Sequence, residues 1–111
     1  MKISALVEAL GLTVHCGNDQ LDREVTGGYV GDLLSDVIAN SRGGDVWITR
    51  QGHQNIVAVA VLKEHACVIL TLGQEPEKDT LDKASKEGIP ILVTNQNGFV
   101  TAGKIYHLLG K

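Results

Sequence analysis

The chain has 111 residues and a formal net charge of −3, with 10 Lys and Arg residues against 13 Asp and Glu residues. This length suits one domain with one hydrophobic core and is too short for two. The basic residues are scattered along the sequence, which argues against a nucleic-acid or anionic-membrane surface. Hydrophobic residues make up 43% of the chain and aromatic residues only 4%. A core of Val, Ile, Leu and Ala is typical of a parallel sheet covered on both faces.

The sequence predicts neither a membrane span nor a secretion signal. Its longest apolar run, Ile56 to Leu62, is far shorter than the roughly 20 residues that a bilayer requires. Glu8 interrupts the region where a signal peptide would keep an apolar core. Cys16 and Cys67 form neither a CxxC pair nor a disulfide framework, as in a reducing compartment. We therefore expect a cytoplasmic protein.

The predicted elements begin with a short amphipathic helix. It starts behind Ser4 and ends at Gly11, a residue type that favours helix termination. Leu12 to Cys16 is a strand candidate. Leu21 to Gly31 has an extended pattern interrupted by three glycines, which indicates a bulge or a close approach of the backbone.

A second helix is predicted from Leu33 to Asn40, with Asp32 as its cap and Leu33, Leu34, Val37 and Ile38 facing the core. Toward the end of the chain, Gly88 ends an exposed helix and Pro90 opens a strand. The predicted elements there are a helix from Thr80 to Glu87, a strand from Ile91 to Thr94, a loop from Asn95 to Gly98, and a helix from about Phe99 to Leu109.

The central stretch predicts a βαβ unit. Val46 to Thr49 and Val68 to Thr71 are short apolar runs bounded by polar or Gly-containing segments, as buried strands are. Between them, Ile56 to Ala66 begins with β-branched residues, which favour strands. Its length, its Lys-Glu-His end and Asn55 at the N-cap position favour a helix. We expect a right-handed crossover and one three-layer α/β/α domain, residues 1–111, with a mostly parallel sheet.

Three strand ends carry polar loops: Arg50 to Asn55, Leu72 to Glu77, and Asn95 to Gly98. Parallel strands bring their carboxyl ends to one edge of the sheet, and open α/β sheets bind ligands there. The sequence therefore predicts that these loops form any ligand site. The predicted ligand-binding residues are Gln51, His53, Asn55, Thr71 and Gly73.

Each part of this predicted site has a simpler alternative. Free backbone N–H groups at the helix start, beside His53, suit an anionic or polar ligand, and Arg50 could add charge. Alternatively, Asn55 only caps the helix and His53 is a surface residue. Thr71 and Gly73 equally suit a tight turn that needs Gly at positive φ.

A metal site is not predicted, and the sequence identifies no cofactor. The pairs His15-Cys16 and His65-Cys67 lack a recognised zinc spacing. Cys67 opens a buried strand, where a free cysteine behaves as a small apolar residue and its thiol is normally inert.

The chain resembles the DRTGG domain family over essentially its whole length. The segments that carry the resemblance are Leu12 to Gly17, Gly27 to Ser35, the loop before Ile56, Leu70 to Pro76, and Gly88 to Leu92.

The family's name describes an Asp-Arg pair after one strand and a Thr-Gly-Gly after the next. Aligned by the Ile that follows, the Asp-Arg positions fall on Gly52 and His53, so the pair is missing here. Thr71 and Gly73 are kept, whereas Leu72 replaces the middle Gly. The chain is closer to small stand-alone relatives with a Gln-x-His-x-Asn loop. In this sequence that loop contains Gln51, His53 and Asn55.

The resemblance implies a fold similar to the N-terminal, non-catalytic domain of HPr kinase. DRTGG domains occur beside CBS domains in regulated pyrophosphatases and within some phosphate acetyltransferases, where they act as regulatory or oligomerisation modules. Kinase activity is not expected, because the chain has no GxxxxGK[ST] phosphate cradle.

Two functions remain open. The leading one is a non-enzymatic regulatory module that binds a small polar or anionic ligand, or a protein partner, and forms a homodimer or larger homo-oligomer. The alternative is a small enzyme with His53 as acid or base, and with Asn55 and Thr71 positioning the substrate. Against the enzyme, only Glu75 and Glu77 could assist His53. The candidate anchors for self-association are Tyr29, Trp47 and Tyr106.

Overall fold

The computed structural model describes residues 1–111 and contains five helices and five strands. A short 3-10 turn, Asn18–Gln20, follows the first strand. In chain order the elements are α1 (Ile3–Leu10), β1 (Thr13–Cys16), β2 (Gly27–Val30), α2 (Leu34–Asn40), β3 (Asp45–Thr49), α3 (Asn55–Lys63), β4 (Cys67–Leu70), α4 (Lys78–Glu87), β5 (Ile91–Val93) and α5 (Gly98–Leu108).

The five strands form one sheet in the order β1-β5-β4-β3-β2. Strands β2 to β5 are parallel to their neighbours, and β1 is antiparallel to β5 at the edge. From β2 to β5 each parallel strand lies beside the one before it, and the chain moves across the sheet in one direction. Connections of the same hand then place their helices on the same side, so α2, α3 and α4 all cover one face. Helices α1 and α5 pack on the other face. This confirms the predicted three-layer α/β/α fold with a mostly parallel sheet.

The core is divided by the sheet into two aliphatic layers. Strands β3 and β4 are buried throughout, and their side chains alternate between the two layers. Trp47 and Val68 face α2 to α4, whereas Val46 and Ile69 face α1 and α5. Trp47 is fully buried, with its indole Nε1 donating to the Gly31 carbonyl at 2.8 Å. Its predicted role as a surface anchor for self-association is therefore wrong.

Helix α3 confirms the helical reading of the β-branched central segment. Four of its nine residues are buried, which explains why packing overrides their strand preference. The helix ends at Lys63 rather than at Ala66, because Glu64 takes the left-handed conformation at φ 56° and turns the chain toward β4. None of the five helices has the length and apolar character needed to cross a bilayer.

The predicted start of α2 is wrong in two respects. Leu33, not Asp32, is the cap residue, and no side chain caps the helix. Leu33 is 67% exposed and Ile38 is 39% exposed, so neither faces the core as predicted. Val37 is fully buried, and Leu34 packs against the core. Asp32 turns instead toward the end of β3.

Candidate functional site

The loops that follow β3, β4 and β5 are joined by backbone hydrogen bonds at the carboxyl edge of the sheet. The Thr71 N–H donates to the Thr49 carbonyl at 3.1 Å. The Leu72 N–H donates to the Gln96 carbonyl, and the Gly73 N–H to the Thr94 carbonyl, both at 2.9 Å. The three loops therefore lie at one edge of the sheet, as the sequence predicts, and hydrogen bonds connect them there.

A cavity of about 190 Å³ opens among these loops, where the ends of β2, β3 and β4 meet the start of α5. Apolar and polar side chains share its wall. It is lined by Val30, Asp32, Ile48, Thr49, Arg50, Thr71, Leu72 and Gly98.

Asp32 links the ends of β2 and β3 beside this cavity. Its Oδ1 accepts from the Thr49 hydroxyl at 2.7 Å and from the Arg50 N–H at 2.9 Å. The Gln51 side-chain amide donates to the Asp32 carbonyl at 3.2 Å. The second carboxylate oxygen of Asp32 has no partner in the chain. Sequence reasoning missed this role because an Asp before a helical pattern equally suits a cap.

Thr71 differs from the threonines that occupy the same place after the two neighbouring strands. The Thr49 and Thr94 hydroxyls each accept from the backbone N–H two residues further on, both at 3.2 Å. At Thr71 the corresponding donor, the Gly73 N–H, is directed to the Thr94 carbonyl instead. The Thr71 side chain is therefore left without a hydrogen-bond partner in the chain, although the residue is only 3% exposed and lines the cavity.

The cavity also has an electropositive side. Arg50 is exposed, and its guanidinium forms no ion pair with any carboxylate. Helix α5 starts at Gly98, and the Asn97 side chain accepts only from the Val100 N–H, at 2.9 Å. The N–H groups of Gly98 and Phe99 have no acceptor in the chain, so the positive end of the helix dipole is only partly covered.

The predicted loop residues Gln51, His53 and Asn55 do not line this cavity. Gln54 is the N-cap of α3 and already has helical angles, φ −59° and ψ −19°. Asn55 is therefore the first helical residue, and its predicted capping role is wrong. Instead, Nδ1 of His53 accepts from the Asn55 N–H at 3.2 Å. His53 thus satisfies one of the free donors at the helix start.

Gly73 and Leu72 form a tight turn beside the cavity. Gly73 has φ 66° and Leu72 has φ 55°, both in the left-handed region. The tight-turn alternative for Gly73 is therefore confirmed. For a non-Gly residue such as Leu72 this conformation costs roughly 1 kcal/mol or more, and such strain often lies at functional sites. The turn exposes about half of the Leu72 side chain at the rim of the cavity.

The missing Asp at position 52 has a steric reason. Gly52 is buried, and its carbonyl accepts from the Thr80 hydroxyl at 2.7 Å and from the Glu77 N–H at 3.1 Å. A Cβ atom on Gly52 would lie 2.9 Å from the Glu75 carbonyl oxygen. The loop after β3 and the start of α4 are therefore in contact at a point where only glycine fits.

The thiols are placed for packing rather than for reaction. Both cysteines are free and buried. Burial raises the pKa of Cys67 to about 12 and also raises the pKa of Cys16. No three His, Cys, Asp or Glu side chains come together in a way that could hold a metal ion.

Known proteins share features of sequence and fold with this chain. The DRTGG domain family matches residues 5–108. A similar fold is found in the crystal structure of the CBS and DRTGG domains of the regulatory region of Clostridium perfringens pyrophosphatase, complexed with its activator, diadenosine tetraphosphate. That structure aligns with a TM-score of 0.74 at 16% identity and covers 92% of this chain. The alignment spans only 44% of the pyrophosphatase chain. No curated protein matches the sequence. Since the family match extends over nearly the whole sequence, the chain belongs to the DRTGG domain family.

Proposed function

We propose that the chain is a regulatory module that acts as one domain over residues 1–111 and binds a small polar ligand at the carboxyl edge of its sheet. The observation that carries this proposal is Thr71, a residue that is only 3% exposed, lines the cavity and has a hydroxyl without a partner in the chain. The Thr71 hydroxyl is not sealed in the core but is accessible from the cavity, so a polar group placed in the cavity can form a hydrogen bond with it. A ligand in the cavity would supply the missing partner.

The connections around the cavity support a regulatory role. Asp32 joins the ends of β2 and β3, and the turn at Gly73 is hydrogen-bonded to the loop after β5. A ligand held at Thr71 would thus contact loops from several strands at once. Gln51 and His53 lie on the loop after β3 and Asn55 begins α3, where they can respond to the ligand. The similarity in fold to the regulatory region of a pyrophosphatase that binds an activator agrees with this proposal.

The chemistry of the cavity favours binding over catalysis. Asp32 and Arg50 are its only titratable lining residues, and the Asp32 carboxylate is used to bind the Thr49 hydroxyl and the Arg50 N–H at the end of β3. His53, the candidate acid or base, uses its Nδ1 to accept from the Asn55 N–H and is not among the lining residues. A non-enzymatic module therefore fits the geometry better than an enzyme.

Self-association is the second part of the proposal. Strand β2 pairs only with β3, so the backbone N–H and C=O groups of its outer edge are unpaired. Its first two residues, Gly27 and Gly28, have no side chains that could obstruct a second strand. A groove of about 430 Å³ runs between β2 and α5, with Tyr106 in its wall. Tyr106 is 61% exposed. Unpaired edges of this kind readily accept another strand, so we propose a homodimer through β2 and α5.

The two free cysteines agree with a cytoplasmic location.

Native mass spectrometry of freshly purified protein tests the ligand site. We expect the wild-type chain to carry an adduct that Thr71→Val loses, because valine keeps the shape of threonine and removes only the hydroxyl. Thr13→Val is the matched control, since Thr13 is exposed on β1 and does not line the cavity. An adduct that Thr71→Val retains in full would contradict the proposed site.

A further inference from the structure

The cavity combines two opposite charges that do not neutralise each other. Asp32 offers one free carboxylate oxygen, because its other oxygen accepts from Thr49 and from the Arg50 backbone. The Arg50 guanidinium has no carboxylate within ion-pair distance, although the two residues follow neighbouring strands. A ligand that fits both groups must carry a hydrogen-bond donor at one end and an anion at the other.

The anionic end is assigned by the position of α5. Gly98 lines the cavity, and the first two N–H groups of this 11-residue helix have no acceptor in the chain. The first turn contains no acidic residue that would compete with a bound anion. Backbone N–H groups and the helix dipole favour an anion here, and Arg50 adds a formal positive charge.

The donor end is assigned by Asp32 and Thr71. The free oxygen of Asp32 accepts hydrogen bonds, and the unpartnered Thr71 hydroxyl can accept them as well. An ammonium group has three donors, and its bond to a carboxylate is charge-assisted and therefore stronger than a neutral hydrogen bond.

Size and charge restrict the ligand further. Cavities for drug-sized ligands measure about 300–1,000 Å³, so a cavity of about 190 Å³ suits a smaller compound. Its formal charges, one negative and one positive, sum to zero, which matches a zwitterion. The Asp32 carboxylate would repel a phosphate dianion. Val30, Ile48 and Leu72 supply an apolar wall for an aliphatic group.

We propose that the cavity binds a free α-amino acid with a small aliphatic side chain. Its carboxylate lies toward Arg50 and the start of α5, and its ammonium group lies toward Asp32 and Thr71. This inference rests on the proposed function, because it names the ligand class of the same site.

Isothermal titration calorimetry of the dialysed full chain tests the ligand class. L-valine is the main probe, with L-alanine, L-leucine and L-isoleucine to measure the apolar wall. Isovalerate lacks the ammonium group, and L-valinamide lacks the carboxylate. Losing one charge-assisted contact should weaken binding ~10- to 100-fold relative to L-valine.

Asp32→Asn separates the charge of Asp32 from its structural role. The Asn side-chain oxygen can still accept from Thr49 and Arg50, so the loops should stay joined while the negative charge is lost. We expect this variant to bind L-valine at least ~10-fold more weakly than the wild type binds L-valine. It should bind isovalerate at least as well as the wild type binds isovalerate, because the repulsion between Asp32 and the anion is lost. Asp82→Asn, on the exposed face of α4, should bind L-valine as wild type does.

The outcomes distinguish the ligand class from the site itself. If AMP or inorganic phosphate binds in a Thr71-dependent way and L-valine does not, the amino-acid proposal is wrong and the proposed site stands. If no probe binds and the purified chain carries no Thr71-dependent adduct, both proposals fail. L-valine binding that Asp32→Asn leaves unchanged also overturns the proposed orientation.

Discussion

The Ser41 hydroxyl lies 2.8 Å from Nε2 of His65 and donates its own proton to the Val37 carbonyl at 2.6 Å. Since a hydroxyl has only one proton, Nε2 of His65 must carry a proton and donate it to Ser41. Nδ1 of His65 is then a buried acceptor without a partner. The ring also packs against Trp47, with centroids 5.6 Å apart. His65 is therefore a neutral side chain in the core, and its hydrogen bond with Ser41 joins the end of α2 to the segment before β4.

This arrangement predicts acid sensitivity. Burial lowers the pKa of His65 below its ordinary value of 6.5. As the pH falls through 6.5 the unfolded chain binds a proton at this site and the folded chain does not, so the free energy of unfolding decreases. The loss is at most about 1.4 kcal/mol per pH unit, and it is absent above the unfolded pKa.

Thermal melts between about pH 7.5 and about pH 5.5 measure this loss. We expect His65→Gln to flatten the pH dependence, since glutamine can still donate to Ser41 but does not titrate. His107→Gln, at an exposed position on α5, should keep the wild-type slope. Equal slopes in the wild type and in His65→Gln would refute the assignment.

A second prediction concerns the start of α3. Because Nδ1 of His53 accepts from the Asn55 N–H, His53→Ala should lower the free energy of unfolding by about 0.5–1 kcal/mol. Asn55→Ala should be neutral or slightly stabilising, because Asn55 makes no capping bond and Ala favours helices. Urea unfolding of both variants is the measurement, with His53→Asp as a rescue that restores an acceptor. If Asn55→Ala lowers the free energy of unfolding more than His53→Ala does, Asn55 caps the helix as the sequence predicts.

A third prediction uses a pair of glycines. Gly52→Ala should destabilise the chain by about 1–3 kcal/mol, because its Cβ would lie 2.9 Å from the Glu75 carbonyl oxygen. Gly52→Asp, which introduces the residue expected from the family pattern, should cost more, because it also brings a carboxylate toward that oxygen. Gly103→Ala, in the exposed part of α5 with no atom near its Cβ position, should stabilise by about 0.5–1 kcal/mol. Denaturant titrations that rank the three variants differently would show that the loop after β3 can move away from α4.

A fourth prediction concerns self-association. Sedimentation velocity at high protein concentration should show a species of about twice the chain mass of 11.8 kDa. Tyr106→Lys should shift the equilibrium toward the monomer, because it places a charge in the proposed interface. Leu62→Lys is the control, since Leu62 is equally exposed but lies on α3, on the opposite face of the sheet. A wild-type chain that stays monomeric would refute the proposed dimer.

Local patterns in the sequence were sufficient for most of the fold, although not for strand β2 or for the antiparallel pairing of β1 with β5. Periodicity, strand-like apolar runs and glycine stops are local signals, and they predicted all five helices and four of the five strands. Strand β2 (Gly27–Val30) lies in the glycine-interrupted segment Leu21 to Gly31, which the sequence left as an extended pattern without a defined strand. Even the ambiguous segment Ile56 to Leu62 was assigned correctly, because its length and its Lys-Glu-His end outweighed the β-branched residues. The parallel order of the strands near Val46, Val68 and Ile91 followed, since helical crossovers join parallel neighbours.

The site depended on tertiary structure for a physical reason. Thr49, Thr71 and Thr94 look alike in the sequence, each a threonine at the end of an apolar run. Only the pairing of the Gly73 N–H with the Thr94 carbonyl leaves the Thr71 hydroxyl unpartnered. Likewise, Asp32 could cap a helix or bind the end of β3, and the choice depends on which donors the folded sheet brings to its carboxylate. Hydrogen bonds between residues far apart in the chain decide such choices, and no local pattern records them.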